Sequence, residues 1–130
     1  MKRKYLITGL ILLMLSCVNA INLSADVRNE KRINIHHAGH QHDHIDHPIP
    51  ADQPDVYLDT ENSVIIIDGG GEVAYYDVEI ESLTSWLTVI ATQVSGTYDT
   101  IDVSSLAAGE YYITITSPTG HEFEGFFNIE

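Results

Sequence analysis

From residue 55 onward, short runs of β-branched and aromatic residues are cut at regular intervals by turn residues, the pattern of an all-β domain. Tyr76, Val78 and Ile80 alternate with Asp77, Glu79 and Glu81, so residues 73–81 form a strand with one core face and one solvated face. Val64-Ile65-Ile66-Ile67 is continuously apolar, as a strand covered on both faces requires. Gly69-Gly70-Gly71 supplies positive-φ positions and predicts a tight hairpin turn between these two strands. Residues 86–94 read as the next strand, with Leu87, Val89 and Ala91 opposite Trp86, Thr88 and Ile90, and Trp86 is expected in the core.

Residues 98–103 follow, and after Ala107-Ala108-Gly109 a strand over 110–116 sets Tyr111, Ile113 and Ile115 on one face. Ser117-Pro118-Thr119-Gly120 has the type I turn order, with Ser first, Pro second and Gly fourth. Residues 122–129 then complete a hairpin that directs Phe123, Phe127 and Ile129 inward. With an edge strand over residues 56–58, the pattern predicts a small immunoglobulin-like β-sandwich of about seven antiparallel strands and no helix. The cysteine and tryptophan pattern of antibody domains is absent.

The first 54 residues have a different texture. Residues 1–20 join Lys2, Arg3 and Lys4 to an apolar run over 10–15 and the small-residue exit Val18-Asn19-Ala20, which predicts a signal peptide with Ile21 as the first mature residue. The rival reading is a lipid anchor at Cys17, although Met14 and Leu15 fit a lipoprotein signal poorly. A retained membrane helix is disfavoured because the apolar stretch falls short of the roughly 20 residues that span a bilayer, so no transmembrane segment is expected after cleavage. The expected location is secreted, periplasmic or cell-surface. Residues 21–54 are polar and charged, close with Pro48, Pro50 and Pro54, and are expected to form a disordered His-rich linker ahead of a domain over 55–130.

Charge narrows the partners. The chain carries 6 Lys and Arg against 19 Asp and Glu, for a net charge of −13, and beyond residue 20 the only Lys and Arg are Arg28, Lys31 and Arg32. Such a surface repels phosphate, which excludes nucleic acid and disfavours anionic lipid. No Lys or Arg follows Pro54, so the carboxylates there are expected to lack cationic partners, His121 aside, and to repel one another. Cys17 is the only cysteine, so a chain cleaved at Ala20 must stand on its apolar core without disulfides.

Catalytic chemistry finds little to work with. No Gly-x-Ser-x-Gly elbow occurs, and His121 is the only histidine beyond residue 54, expected there as a solvated loop residue. Asp77, Glu79 and Glu81 place carboxylates about 7 Å apart along one strand face, a spacing compatible with calcium or acid–base work, but a solvated strand face needs the same residues. The expectation is a protein that is not an enzyme.

The sharper signal is the tract HHAGHQHDHIDH, in which His36, His37, His40, His42, His44 and His47 fill six of twelve positions. Imidazole ligates zinc, nickel and copper, and Asp43 and Asp46 offer oxygens beside it. The spacing matches no structural zinc motif, so the expectation is zinc or nickel held by composition rather than by a fixed geometry, with no other cofactor.

The strand-rich end, with Asp102-Val103-Ser104-Ser105-Leu106 followed by Gly109-Glu110-Tyr111-Tyr112, resembles a bacterial family of small secreted proteins catalogued as domain-of-unknown-function family 3244. The resemblance covers residues 55–130 and implies an immunoglobulin-like sandwich, with no activity and no functional residues attached. The same segment is more weakly similar to C-terminal secretion-sorting domains, from which it departs by ending in Asn128-Ile129-Glu130 rather than in basic residues. Three functions therefore compete: a non-catalytic interaction module for a protein or glycan, a metal-binding protein acting through the histidines, and a sorting domain.

Overall fold

A computed structural model describes residues 30–38 and 48–130 of the chain. The expectations for residues 1–20, and the histidines at 40, 42, 44 and 47, lie outside the described residues. Within the described residues there are nine strands and no helix, and therefore no helix long and apolar enough to cross a membrane. β1 (Glu30–Ile33), β3 (Asp55–Asp59), β4 (Val64–Asp68) and β7 (Tyr98–Asp102) form one sheet in the order β1-β3-β4-β7. β2 (Ile35–His37), β5 (Tyr75–Ser82), β6 (Thr88–Ser95), β8 (Gly109–Thr116) and β9 (Glu122–Ile129) form the second in the order β2-β9-β8-β5-β6.

The core lies between the inward faces that alternation specified. Tyr76, Val78 and Ile80 from β5 pack with Tyr111, Ile113 and Ile115 from β8, Phe123 and Phe127 from β9, and Val56, Leu58, Ile65 and Ile67 from the other sheet. The strands from β3 to β9 are the seven expected from residue 55 onward. Ser117 to Gly120 forms the expected turn: the Gly120 amide donates to the Ser117 carbonyl at 3.0 Å, and Gly120 sits at φ +89°, as the closing residue of a three-residue hairpin loop does.

Four expectations are corrected. Glu30–Ile33 and Ile35–His37 are strands, not linker, and the compact unit starts at Lys31 rather than at residue 55. The reason is a short alternation masked by polar composition: Ile33 points into the core at 4% exposure, and Asn34 passes the chain from one sheet to the other so that Ile35 packs there as well.

The glycine triplet is not a hairpin, because β4 and β5 belong to different sheets. Gly70 and Gly71 do adopt positive φ, but they turn a crossover between sheets. That crossover passes the β6–β7 connection backbone to backbone. A Cβ on Gly96 would lie 1.9 Å from the Val73 carbonyl oxygen, and one on Gly69 would lie 2.1 Å from that of Gly96.

Trp86 is not in the core. It is 74% exposed, and β6 begins two residues later. Its neighbours in β6 are also mostly exposed, with Val94 alone fully buried, because β6 is the last strand of its sheet and the core ends beside it.

Some carboxylates after Pro54 do meet partners from the N-terminal strands, two of them the cations Arg32 and Lys31. Arg32 reaches Asp55 at 2.7 Å, Lys31 reaches Glu130 at 4.0 Å, and His36 Nε2 lies 3.2 Å from Glu124.

Candidate functional site

Two features stand apart from ordinary sandwich packing. The first is a polar cluster at one end of the molecule, built on Asp52. The Pro50 carbonyl accepts the Gln53 amide at 3.0 Å, and this turn carries Asp52 inward to 7% exposure. Ser117 and Thr119, on the β8–β9 turn, donate their hydroxyls to Asp52 Oδ2 at 2.7 and 2.6 Å. His121 Nδ1 lies 2.8 Å from Oδ1 of the same carboxylate. An ionised carboxylate only accepts, so Nδ1 carries the proton. Burial alone would raise the Asp52 pKa, but the bonds from Thr119, Ser117 and His121 outweigh it and hold the carboxyl down at about 2.

The main chain of Asp52 is fastened as well. The Tyr76 hydroxyl, in a fully buried ring, donates to the Asp52 carbonyl at 2.7 Å. Burial, with the nearby negative charges of Asp52, Glu72 and Asp68, pushes that hydroxyl up to about 12, so it stays a donor. His121 is thus not a plain solvated loop residue: it is one corner of a staple that ties the stretch before β3 to the β8–β9 turn. Sequence reading missed this because Asp52 and His121 are 69 positions apart and neither lies in a motif. In chemical terms the Ser117 hydroxyl gives its hydrogen bond to Asp52 rather than to an imidazole, so the cluster is laid out to hold two loops together.

The histidine tract is divided by the strands. His36 and His37 occupy successive positions of β2 and so project to opposite faces. His36 meets Glu124 on the outer face, where Tyr112 also donates to that carboxylate. His37 lies on the inward side opposite Phe123, with its ring centroid 5.1 Å from that of His121 in an edge-to-face arrangement. The other four histidines fall outside the described residues. Among the described residues, no group of three or more His, Cys, Asp or Glu is gathered to hold a metal ion.

The second feature is the outer edge of β6. Residues 83–98 contain no charged residue and no histidine, although the chain as a whole is 19% charged. Among the described residues β6 pairs with β5 alone; it spans eight residues and carries no lysine or proline of the kind that usually protects a sheet edge. A bulge between Ile80 and Glu81 shifts the register opposite Thr88 and Ile90. The loop entering β6 leaves Trp86 and Leu87 exposed, at 74% and 65%. Trp86 also holds a left-handed backbone at φ +59°, a conformation that costs a non-glycine residue about 1–2 kcal/mol. Between β6 and β7 an open groove of about 350 Å³ is floored by Ile90, Val94 and Ile101.

Two antiparallel sheets enclosing one core, with a tyrosine whose hydroxyl returns to the main chain four residues upstream (Tyr111 to the Ala107 carbonyl, 2.6 Å), define an immunoglobulin-like β-sandwich. A solved structure shares this fold: a DUF3244 family protein with an immunoglobulin-like β-sandwich from Bacteroides vulgatus ATCC 8482 superposes with a TM-score of 0.60 at 15% identity, covering 78% of this chain and 99% of its own. No family model matches the chain. No curated protein matches it.

Proposed function

We propose that this protein is a secreted or surface-exposed, non-catalytic interaction module that docks a protein partner along the β6 edge. The observation that carries the reading is the sixteen-residue stretch over 83–98, uncharged in an acidic chain and containing β6, whose outer edge has no strand beside it among the described residues. An exposed tryptophan in a left-handed conformation has a conformational cost that its own packing does not offset, which favours a role in contact with another molecule. An unpaired strand recognises an extended segment by adding it to the sheet, with pockets for alternate side chains supplying selectivity. The partner chemistry is therefore a polypeptide with apolar residues at every second position rather than a glycan. The basic, apolar and small-residue pattern of residues 1–20 supports export.

Peptide-display selection on the domain tests the docking site, with Thr92→Lys and Trp86→Ser together as counter-selection. Selected peptides should alternate apolar and polar residues and lose binding to the double variant. Peptides without that alternation, or with equal binding to both proteins, would contradict the reading.

A second reading is metal binding through the histidines. It gains one observation: His37 stands beside His121, whose Nδ1–H is held by Asp52, the arrangement in which a carboxylate orients a metal-binding imidazole and leaves Nε2 available.

A further inference from the structure

We infer that the occupant of the β6 edge is residues 21–28 of a second copy of this chain, an inference that rests on the docking reading above. These residues read Ile21-Asn22-Leu23-Ser24-Ala25-Asp26-Val27-Arg28, with four apolar side chains alternating without a break with four polar ones. Period 2 sustained over eight residues is the pattern of a strand with a single apolar face. β6, whose outer edge has no strand beside it among the described residues, has the same length, eight residues. The groove beside it is lined by half-buried Ile90, with Val94 and Ile101 buried beneath, so the apolar face of an added strand would lie chiefly over Ile90.

Charge favours this pair over other contacts between copies. Two molecules with a net charge of −13 repel across most of their surfaces. Residues 21–28 carry one Asp and one Arg and are neutral overall, and β6 carries no charge, so this pairing is less repulsive than contact between the acidic faces. Arg28 is moreover one of three Lys or Arg beyond residue 20, and the groove is rimmed by Asp99 and Asp102.

Reach decides between the molecule's own edge and that of another copy. Asn29 alone separates Arg28 from β1, and β1 and β7 lie at opposite edges of the four-stranded sheet. Three strand spacings amount to about 14 Å, while eight extended residues reach only about 26 Å. A segment tethered at β1 would spend half its length crossing that sheet and could not pair along all of β6, whereas the β6 of a neighbouring molecule is under no such constraint. Each copy then has one donor segment and one acceptor edge. The contact is head-to-tail, and it closes into a ring or grows as an open chain.

Sedimentation velocity over a concentration series tests this on the chain lacking residues 1–20, which retains every described strand. The expected result is concentration-dependent assembly beyond a dimer. Leu23→Asp with Val27→Asp should return the protein to a monomer, and a retained cooperative melting transition should show that the variant still folds. Thr92→Lys on the exposed edge should do the same, with its melting transition confirming the fold. Mixing the two variants should give a one-to-one heterodimer, since one keeps its donor and the other its acceptor. A monomer at all concentrations, or a mixture that does not pair, overturns the inference. Assembly abolished by Thr92→Lys but untouched by the Leu23 and Val27 changes also overturns it, while leaving β6 as a docking edge for another occupant. Display peptides that lack alternation, or that bind the natural protein and the double variant equally, would by contrast remove the docking reading itself.

Discussion

His121 Nδ1 lies 2.8 Å from Asp52 Oδ1 across 69 positions of sequence, and this contact closes one end of the sandwich. Replacing Asp52 with alanine would take away the carboxylate to which both the Ser117 and Thr119 hydroxyls donate, leaving these two hydroxyls to each other. The expected loss is about 1–3 kcal/mol, read as a lower urea midpoint with an unchanged slope.

The same carboxyl sets an acid response. Its folded pKa, about 2, lies below the ordinary 3.8, so its contribution is fully present above about pH 4 and is lost as pH falls through 2. The gap in stability between the natural protein and Asp52→Asn should therefore narrow across that window. A constant gap in denaturant titrations from pH 5 to pH 2 would show that the charge contributes nothing.

Trp86 offers a separation of stability from binding. Glycine tolerates φ +59° without a steric cost, and the exposed indole contributes little packing. Trp86→Gly should leave the melting temperature unchanged or raise it, by up to about 1 kcal/mol in stability, while weakening capture of strand-forming peptides. A clear loss of thermal stability would mean that the indole packs in solution.

Ile33 measures whether the N-terminal strands belong to the fold. Burial at 4% exposure predicts that Ile33→Ala costs about 2–5 kcal/mol, in the range of large-to-small core changes. Limited proteolysis should leave residues 30–38 attached to the domain, and a stable core that begins at residue 55 would contradict their place in the sheets.

Salt should stabilise the domain. Fourteen acidic residues follow Pro54. The pairs Arg32–Asp55 and Lys31–Glu130 are exposed on both sides and contribute little, so screening removes more repulsion than attraction. Differential scanning from low to physiological ionic strength should show a rising melting temperature.

For the metal reading, calorimetry with zinc or nickel should show binding that weakens below about pH 6.5, where imidazole takes up a proton. Changing His36, His37, His40, His42, His44 and His47 to alanine should abolish it. If His37 and His121 share the ion, His121→Ala should weaken binding too, and metal should raise the melting temperature of the natural protein. Equal binding in the His121 variant would confine the metal to the tract.

Sequence alone determined that β3 to β9 are strands and, for β5, β8 and β9, which face meets the core, because period-2 alternation is local: Tyr76, Val78 and Ile80 carry their orientation in their own spacing. The turn over residues 117–120 was legible for the same reason, since its Ser, Pro and Gly answer to backbone geometry. Only tertiary structure decided that Ile33 and Ile35 complete the two sheets, because a three- or four-residue strand among charged neighbours has too few positions to establish a period. It likewise decided that Trp86 faces solvent, since β6 alternates like any strand and only sheet order shows that it is the edge. The Asp52–His121 contact was beyond any local reading: a buried carboxylate is stable only where donors converge on it, and these donors come from a turn about 65 residues away that sequence spacing does not relate to it.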